Sequence, residues 1–513
     1  MRTLHLRLEA VSTRVVLMDL ERTRAWARRF WEPGDTLSER VVKSGFWVVA
    51  FRIAGRLGTL CRTVVLARIL APSDFGFMGI ALLAISVLDT ISQPGFGYAL
   101  IQREGRSEEY LDTAWTVSVV RGVLLCVVLF LSAPWVARFF DVAAVGLIVR
   151  VTALSVLLNG LTNPGVLYFQ KDLEFNRQFL YRVSGTAADL VVAIAAGLLL
   201  RSVWALVLGL VARSLVQLVV SYALHSYRPT VRFESGQARD LFSFGRWIFG
   251  SHVIVMLVRQ GDHALVGRLV GATGLGYYQM ATHIAVAPAT EIADQICQVA
   301  FPTFAKVQGR RELIAKIYGM TFQGVVLLSL PLAGGMLVLA REITQVFLGS
   351  QWLPMVPALR VLSVFGVARA INSLLRTTFD GAGRPAISTT GLGAQLVLLA
   401  AVIYPLVMRQ GVVGASVAVT AAELLFLLYG AFKVRCVSGQ TLGQFMEPVR
   451  IGVFSAATMA LVVLALRHLT LNRMPTYLAL SALVPVGGIV YLGMVLLLDR
   501  SLMSKLAQLV RVL

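Results

Sequence analysis

Residues 44–80 read SGFWVVAFRIAGRLGTLCRTVVLARILAPSDFGFMGI, and residues 244–280 read FGRWIFGSHVIVMLVRQGDHALVGRLVGATGLGYYQM. Laid over each other without a gap, they pair Gly45 with Gly245, Trp47 with Trp247, Arg68 with Arg268, Ile69 with Leu269 and Gly76 with Gly276. Further on, the offset of 200 becomes 210, which pairs Arg150 with Arg360, Phe169 with Phe379 and Val203 with Val413. Self-similarity at a fixed spacing marks a chain built from two copies of one unit. The ten extra residues belong to the second copy and are expected near Leu348 to Pro354.

The composition says which solvent the two copies fold in. Hydrophobic residues make up 57% of the 513, charged residues 14%, and mean hydropathy is +0.75. Soluble domains are about half apolar and about one quarter charged, so a cytosolic enzyme, a secreted disulfide scaffold and a disordered chain are excluded. The four cysteines, Cys61, Cys126, Cys297 and Cys436, are isolated, which predicts free thiols and no structural metal site. No cofactor is implied.

A bilayer-crossing helix needs about 20 apolar residues. Gly, Pro and charge clusters cut the chain into about fourteen such spans, from 44–66, 75–100 and 113–133 through 386–408, 411–432, 449–466 and 475–498. The expected fold is therefore an all-α polytopic membrane protein with two pseudo-symmetric six-helix lobes plus two C-terminal helices. Six spans is an even number, so both lobes keep the same orientation and face each other across a central cavity. The expected organisation is a basic segment at 1–40, an N-lobe at 41–225, a C-lobe at 226–435, and the last two spans with a tail at 436–513.

Charge sets the direction. Seventeen Lys or Arg fall in one set of connecting loops and eight in the other, and the richer set shares its side with nine at the N-terminus, through Lys43, and with Arg500, Lys505 and Arg511. The positive-inside rule then puts both termini in the cytoplasm. The net charge of +20 is strewn between apolar runs rather than gathered on one soluble face, so it reads as topology and an anionic substrate, not as nucleic-acid binding. Leu4, Leu8, Val11, Val15 and Met18 recur at helical spacing among arginines, as in a helix lying on the inner leaflet. A tail, or an upstream start before Met18, is the other reading of that segment.

Ten arginines remain inside predicted spans: Arg52, Arg56, Arg62, Arg121, Arg150, Arg213, Arg259, Arg360, Arg369 and Arg376. Each costs about 2.5 to 3.5 kcal/mol at a helix centre, so most must face protein, water or ligand. Six acids share that zone: Asp89, Asp189, Asp262, Glu291, Asp294 and Glu423. Ten against six leaves the interior net positive, which suits a buried anion. Arg52, Gly55, Arg56, Thr59 and Arg62 fall on one face of the first span. Arg52, Arg56, Arg62, Arg259 and Arg369 are the candidates for holding an anionic head group. Asp89, Asp262, Glu291, Asp294 and Glu423 can be proton carriers or counter-ions, and an Arg259–Asp262 ion pair is one competing arrangement. Pro94, Gly95, Gly97 and Pro288 are candidate hinges, and breaks are also expected at Asn163-Pro164-Gly165 and around Pro331.

The run Leu66-Ala67-Arg68-Ile69-Leu70-Ala71-Pro72-Ser73-Asp74-Phe75-Gly76 resembles the first helix and loop of Wzx-type polysaccharide flippases. Gly95 to Gln102, Ala133 to Phe140 and Phe242 to Gly245 are similar to the same family. The resemblance covers roughly residues 41 to 440 and implies the fold of the multidrug and oligosaccharidyl-lipid exporter superfamily. It also implies a polyprenyl-pyrophosphate-linked oligosaccharide as substrate, alternating access in the bacterial inner membrane, and no enzymatic step. Membrane lipids, a polysaccharide polymerase and export machinery are the partners it implies, without nucleic acid. A lipid II flippase and a cation-coupled multidrug antiporter are the alternatives within the superfamily. The antiporter would favour an acidic cavity. A polymerase or ligase would need a long outer loop, and no phosphate-binding loop of an ATPase is present.

The orientation is testable. In a chain lacking the four native cysteines, a cysteine at Ser73 should react with an impermeant thiol reagent from outside intact cells and one at Gln308 only after the membrane is opened. Reversed labelling would invert the topology.

Overall fold

The computed structural model describes residues 37–92, 108–172, 174–232, 255–439, 442–470 and 474–499, and no strand occurs among them. The first copy contributes α1 (Leu37–Ile69), α2 (Pro72–Ser92), α3 (Glu108–Phe140), α4 (Ala143–Gly160), α5 (Phe175–Leu200) and α6 (Trp204–Leu224). The second contributes α7 (255–269), α8 (Gly271–Lys306), α9 (Arg311–Ile343), α10 (Val356–Gly381) and α11 (Pro385–Ser438). Two more helices, α12 (Leu442–Thr470) and α13 (Thr476–Leu498), pack on α9. The basic segment, apart from its last residues, lies outside the described residues, as do Pro94, Gly95 and Gly97.

Ten of these helices are long and apolar enough to cross a bilayer, and the protein is a multi-pass membrane protein. Ten by that criterion is fewer than the fourteen expected, for two reasons. Helix α11 runs for 54 residues through Gly411, whose backbone (φ 56°, ψ −129°) is not helical, so two expected spans form one bent element. The described helices that miss the criterion are α7, of which only 255–269 are described, and α1 and α8, which carry Arg52, Arg56, Arg62, Glu291 and Asp294. The other expected breaks differ in outcome. Asn163-Pro164-Gly165 forms a turn in which the Asn163 side chain accepts from the Gly165 amide at 2.9 Å. Helix α9 continues through Pro331, Gly334 and Gly335.

The copies meet at the end of the bundle that holds the α1–α2 turn. A methyl group on Gly76 would lie 1.8 Å from the Ala272 carbonyl oxygen, and one on Gly276 would lie 2.0 Å from the Pro72 carbonyl oxygen. Positions 72 and 272, like 76 and 276, are the same place in the two copies. The contact is thus reciprocal, a local two-fold between α2 and α8, and both helices need glycine there because backbone meets backbone. The largest apolar core runs across this seam, joining Leu66, Leu70 and Ile80 to Leu275, Tyr278 and Trp352.

The extra ten residues are found where the offset change implied. Helices α3 and α4 are joined by Asp141 and Val142 alone, whereas 344–355 separate α9 from α10, twelve residues against two. This inserted segment forms a clasp on the first copy. The C-terminal carbonyls of a helix have no partner within it. Here the Trp352 Nε1 donates to Ala67 O at 2.8 Å, and Gln351 Nε2 donates to Ala67 O and Leu70 O at 2.5 and 3.1 Å. Arg68 donates in return to the Phe347 and Val346 carbonyls.

Replacing Gly76 or Gly276 by Val should destabilise the protein by about 1 to 3 kcal/mol, the usual cost of overpacking. Gly55, which has nothing within 4 Å of an added methyl, is the control, and Gly55→Ala should leave the thermal midpoint in detergent unchanged. Equal melting of all three variants would remove the seam as a determinant of the fold.

Candidate functional site

Away from that seam, α1, α5 and α8 part to form a cleft of about 510 Å³. Helix α1 presents Arg52 and Arg56 to it, four residues apart and therefore one turn apart on one face. Helix α8 answers with Glu291, Asp294, Gln295 and Gln298, and α5 with Gln178 and Arg182. Arg56 forms an ion pair with Glu291, and Arg52 donates to the Gln295 and Gln298 side-chain carbonyls, the latter at 3.0 Å. These contacts join the two copies across the cleft. Arg182 of α5 stacks on the Phe51 ring at 5.4 Å. The threonines of the α1 face add little, because Thr59 and Thr63 hydroxyls donate to carbonyls of their own helix, Gly55 O at 2.9 Å and Thr59 O at 2.8 Å.

Arg62, a third member of that face, is committed elsewhere. Its Nη1 lies 2.6 Å from both carboxylate oxygens of Asp189 on α5, which is buried. Charge-assisted contacts of this kind are the strong class of hydrogen bond, so Arg62 ties α1 to α5 within the first copy. Asp89 is likewise not brought to the cleft. Arg121 on α3 pairs with its carboxylate and also donates to Ser92 Oγ at 3.0 Å, beside a separate cavity of about 290 Å³.

The competing Arg259–Asp262 ion pair does not form. Asp262 is buried, and its carboxylate accepts from the Tyr278 hydroxyl at 2.6 Å, the His263 amide at 2.8 Å and His263 Nδ1 at 2.9 Å. Arg259 instead lies in the field of two other arginines, Arg369 and Arg376 of α10, and of two acids, Asp294 and Glu423. Glu423 is buried and held by Gln395 Nε2 at 2.7 Å and Asn372 Nδ2 at 3.1 Å. Arg369 and Arg376 stack on Phe365 and Phe426. Arg376 also lies in the field of Asp380, so the group holds three cations and three carboxylates. Asp294, which lines the cleft and accepts from Ser373 Oγ at 3.2 Å, connects it to the α1 side.

Of the candidate residues, Arg52, Arg56, Glu291 and Asp294 thus share one cleft, and Arg259, Arg369 and Glu423 form an adjoining cluster. Gln178, Arg182 and Arg376 complete these groups and were not among the candidates. Helical spacing of Gln178, Arg182, Gly185 and Asp189 along α5 was the available signal for two of them. Pro288 lies within an unbroken α8, three residues before Glu291.

Residues 65–357, more than half of the chain, match the family described as polysaccharide biosynthesis protein, and the chain belongs to it. The teichuronic acid biosynthesis protein TuaB of Bacillus subtilis (strain 168) is 29% identical over 279 residues, 54% of this chain and 58% of that protein. This chain therefore spans little more than half the length of that relative. The succinoglycan biosynthesis transport protein ExoT of Rhizobium meliloti (strain 1021) is 24% identical over 486 residues, 92% of this chain and 96% of that protein. Among solved structures, the lipid II flippase MurJ in an inward closed conformation has a TM-score of 0.70 at 14% identity, covering 89% of this chain and all of that one. The chain shares the fold of MurJ.

Arg62→Ala should cost about 3 to 5 kcal/mol of stability, because it strands the buried Asp189 carboxylate. An Arg62→Met, Asp189→Leu double variant should recover most of that. Thermal unfolding of the three purified proteins reads the difference, and a stable single variant would return Arg62 to the substrate face.

Proposed function

We propose that this member of the polysaccharide biosynthesis protein family is a flippase. It carries a polyprenyl-pyrophosphate-linked oligosaccharide from the cytoplasmic to the outer leaflet of a bacterial inner membrane, for exopolysaccharide, capsule or O-antigen assembly. The observation that carries the reading is the cleft between the copies, lined by Arg52, Arg56 and Arg182 of the first and by Glu291, Asp294, Gln295 and Gln298 of the second, with Asp294 linking it to the adjoining arginines Arg259, Arg369 and Arg376. The transport role that ExoT is named for, a relative matched over nearly its whole length, supports it.

In this mechanism no covalent bond changes. With no substrate bound, Glu291 and the Gln295 and Gln298 amides hold the arginines of α1, so the cleft does not carry naked cations in a low-dielectric surround. A pyrophosphate entering the cleft exchanges places with these acceptors. Arg52 and Arg56 take its oxygens in bidentate fashion, and Arg259 and Arg369 receive them from the second copy. The glutamines and Arg182 meet sugar hydroxyls, while the prenyl tail stays in lipid. Glu291, once displaced, no longer ties α1 to α8 and the lobes can rock about the seam at Gly76 and Gly276. Asp262, Asp294 and Glu423 serve as counter-ions or as carriers of a coupling proton. The lobes of this scheme are 41–225 and 226–435, the termini are cytoplasmic, and a polymerase and export machinery receive the product.

Arg52→Ala and Arg56→Ala should each abolish most glycan export while leaving protein in the membrane, and the lysine variants should keep part of it. The purified protein should bind a polyprenyl pyrophosphate more tightly than the uncharged polyprenol, with each alanine variant weakening only the former, by about 2 to 5 kcal/mol. Equal affinity for the two lipids would overturn the reading.

A further inference from the structure

Arg138 and Arg150 take no part in the inter-copy cleft. They line a separate open groove of about 600 Å³ between the last turns of α3 and the first turns of α4. The groove's walls are apolar, formed by Pro134, Ala137 and Leu147, and Asp141 stands at the turn between the helices. Two cations face one carboxylate, and neither arginine is ion-paired with it among the described residues. Arg150 is exposed and stacks on the Phe130 ring at 5.1 Å. It lies seven residues into α4, about 10 Å below the turn, where an exposed guanidinium needs water or an anion within reach. The flanks of the groove are exposed apolar surface, Leu131 and Trp135 on α3 and Leu154 on α4. Exposed tryptophan near a helix end is the pattern of the bilayer interface.

We propose that this groove is a binding site for an anionic phospholipid of the surrounding bilayer, with the phosphodiester between Arg138 and Arg150 and one acyl chain along Leu147 and Leu154. The net charge of one matches a phosphodiester with an uncharged head rather than a pyrophosphate. The second copy builds this place differently. Arg341 and Arg360 stand at the facing ends of α9 and α10 and are exposed, but the twelve residues 344–355 separate those helices where two residues join α3 to α4. The groove also touches the seam. Arg268 at the end of α7 stacks on Phe139, beside Arg138. A lipid seated there would therefore rest against both copies, and its occupancy would favour their contact at this end.

Native mass spectrometry of the full chain in neutral detergent, titrated with phosphatidylglycerol and with phosphatidylcholine of the same acyl chains, tests the site. The unaltered protein should take up one phosphatidylglycerol at least about tenfold more tightly than phosphatidylcholine. An Arg138→Gln, Arg150→Gln double variant should lose that preference, Arg138→Lys, Arg150→Lys should keep part of it, and Arg360→Gln should keep all of it. The three substitution sites are exposed, and unchanged size-exclusion profiles verify the fold. The proposal fails if the double glutamine variant retains the preference, or if Arg360→Gln loses it equally. It also fails if the double variant loses affinity for a polyprenyl pyrophosphate but not for phosphatidylglycerol, since the groove would then take the transported lipid.

Discussion

The close approach of α2 and α8 is the constraint on which the remaining architecture depends. Two helices can bring backbone against backbone only where neither has a side chain, and Gly76 and Gly276 supply that absence at the same position of both copies. Contact this close at one end brings the copies together there, and farther along α8 they part around the cleft that holds Arg52 and Arg56. The clasp formed by 344–355 strengthens the same end in an asymmetric way. It satisfies the orphan carbonyls of α1 with side chains from the second copy, so breaking the seam would also expose unpaired backbone groups.

Charge is the second organising principle. In a medium where an isolated ion is costly, every buried carboxylate is found in the company of donors, but the donors differ in kind. Asp189 takes an arginine, Asp262 takes a histidine and a tyrosine, and Glu423 takes two amides. Asp262 and Glu423 are thus satisfied without an arginine hydrogen bond, and Arg369 and Arg376 rest on the Phe365 and Phe426 rings. Arg62 shows the opposite case, a cation paired with a buried carboxylate within its own copy.

The sequence already displayed the all-helical membrane class, and the ten-residue change of offset that matches the longer connection between α9 and α10. Each of these depends on local or one-dimensional properties: apolar run length, spacing, and an offset that can be counted. It also showed that α1 has a cationic face, since residues three and four apart share a side of a helix. The same local arithmetic left an Arg259–Asp262 pair open as a competing arrangement. Three residues apart, they can pair on an isolated helix, yet Tyr278 and His263 occupy the carboxylate first.

What tertiary structure alone decided was partnership. Arg56 finds Glu291 from 235 positions away and Arg62 finds Asp189 from 127 away, although the two arginines stand six residues apart on one polar stripe of one helix. Their separation into a cleft residue and a structural tie depends on the rotation and depth of α1 against α5 and α8. Packing against the seam sets that geometry. Composition, hydropathy and periodicity therefore determine which residues must avoid lipid, because that is a property of each residue and its helix. Which of them face each other, and which face open space, follows only when whole helices are positioned in three dimensions.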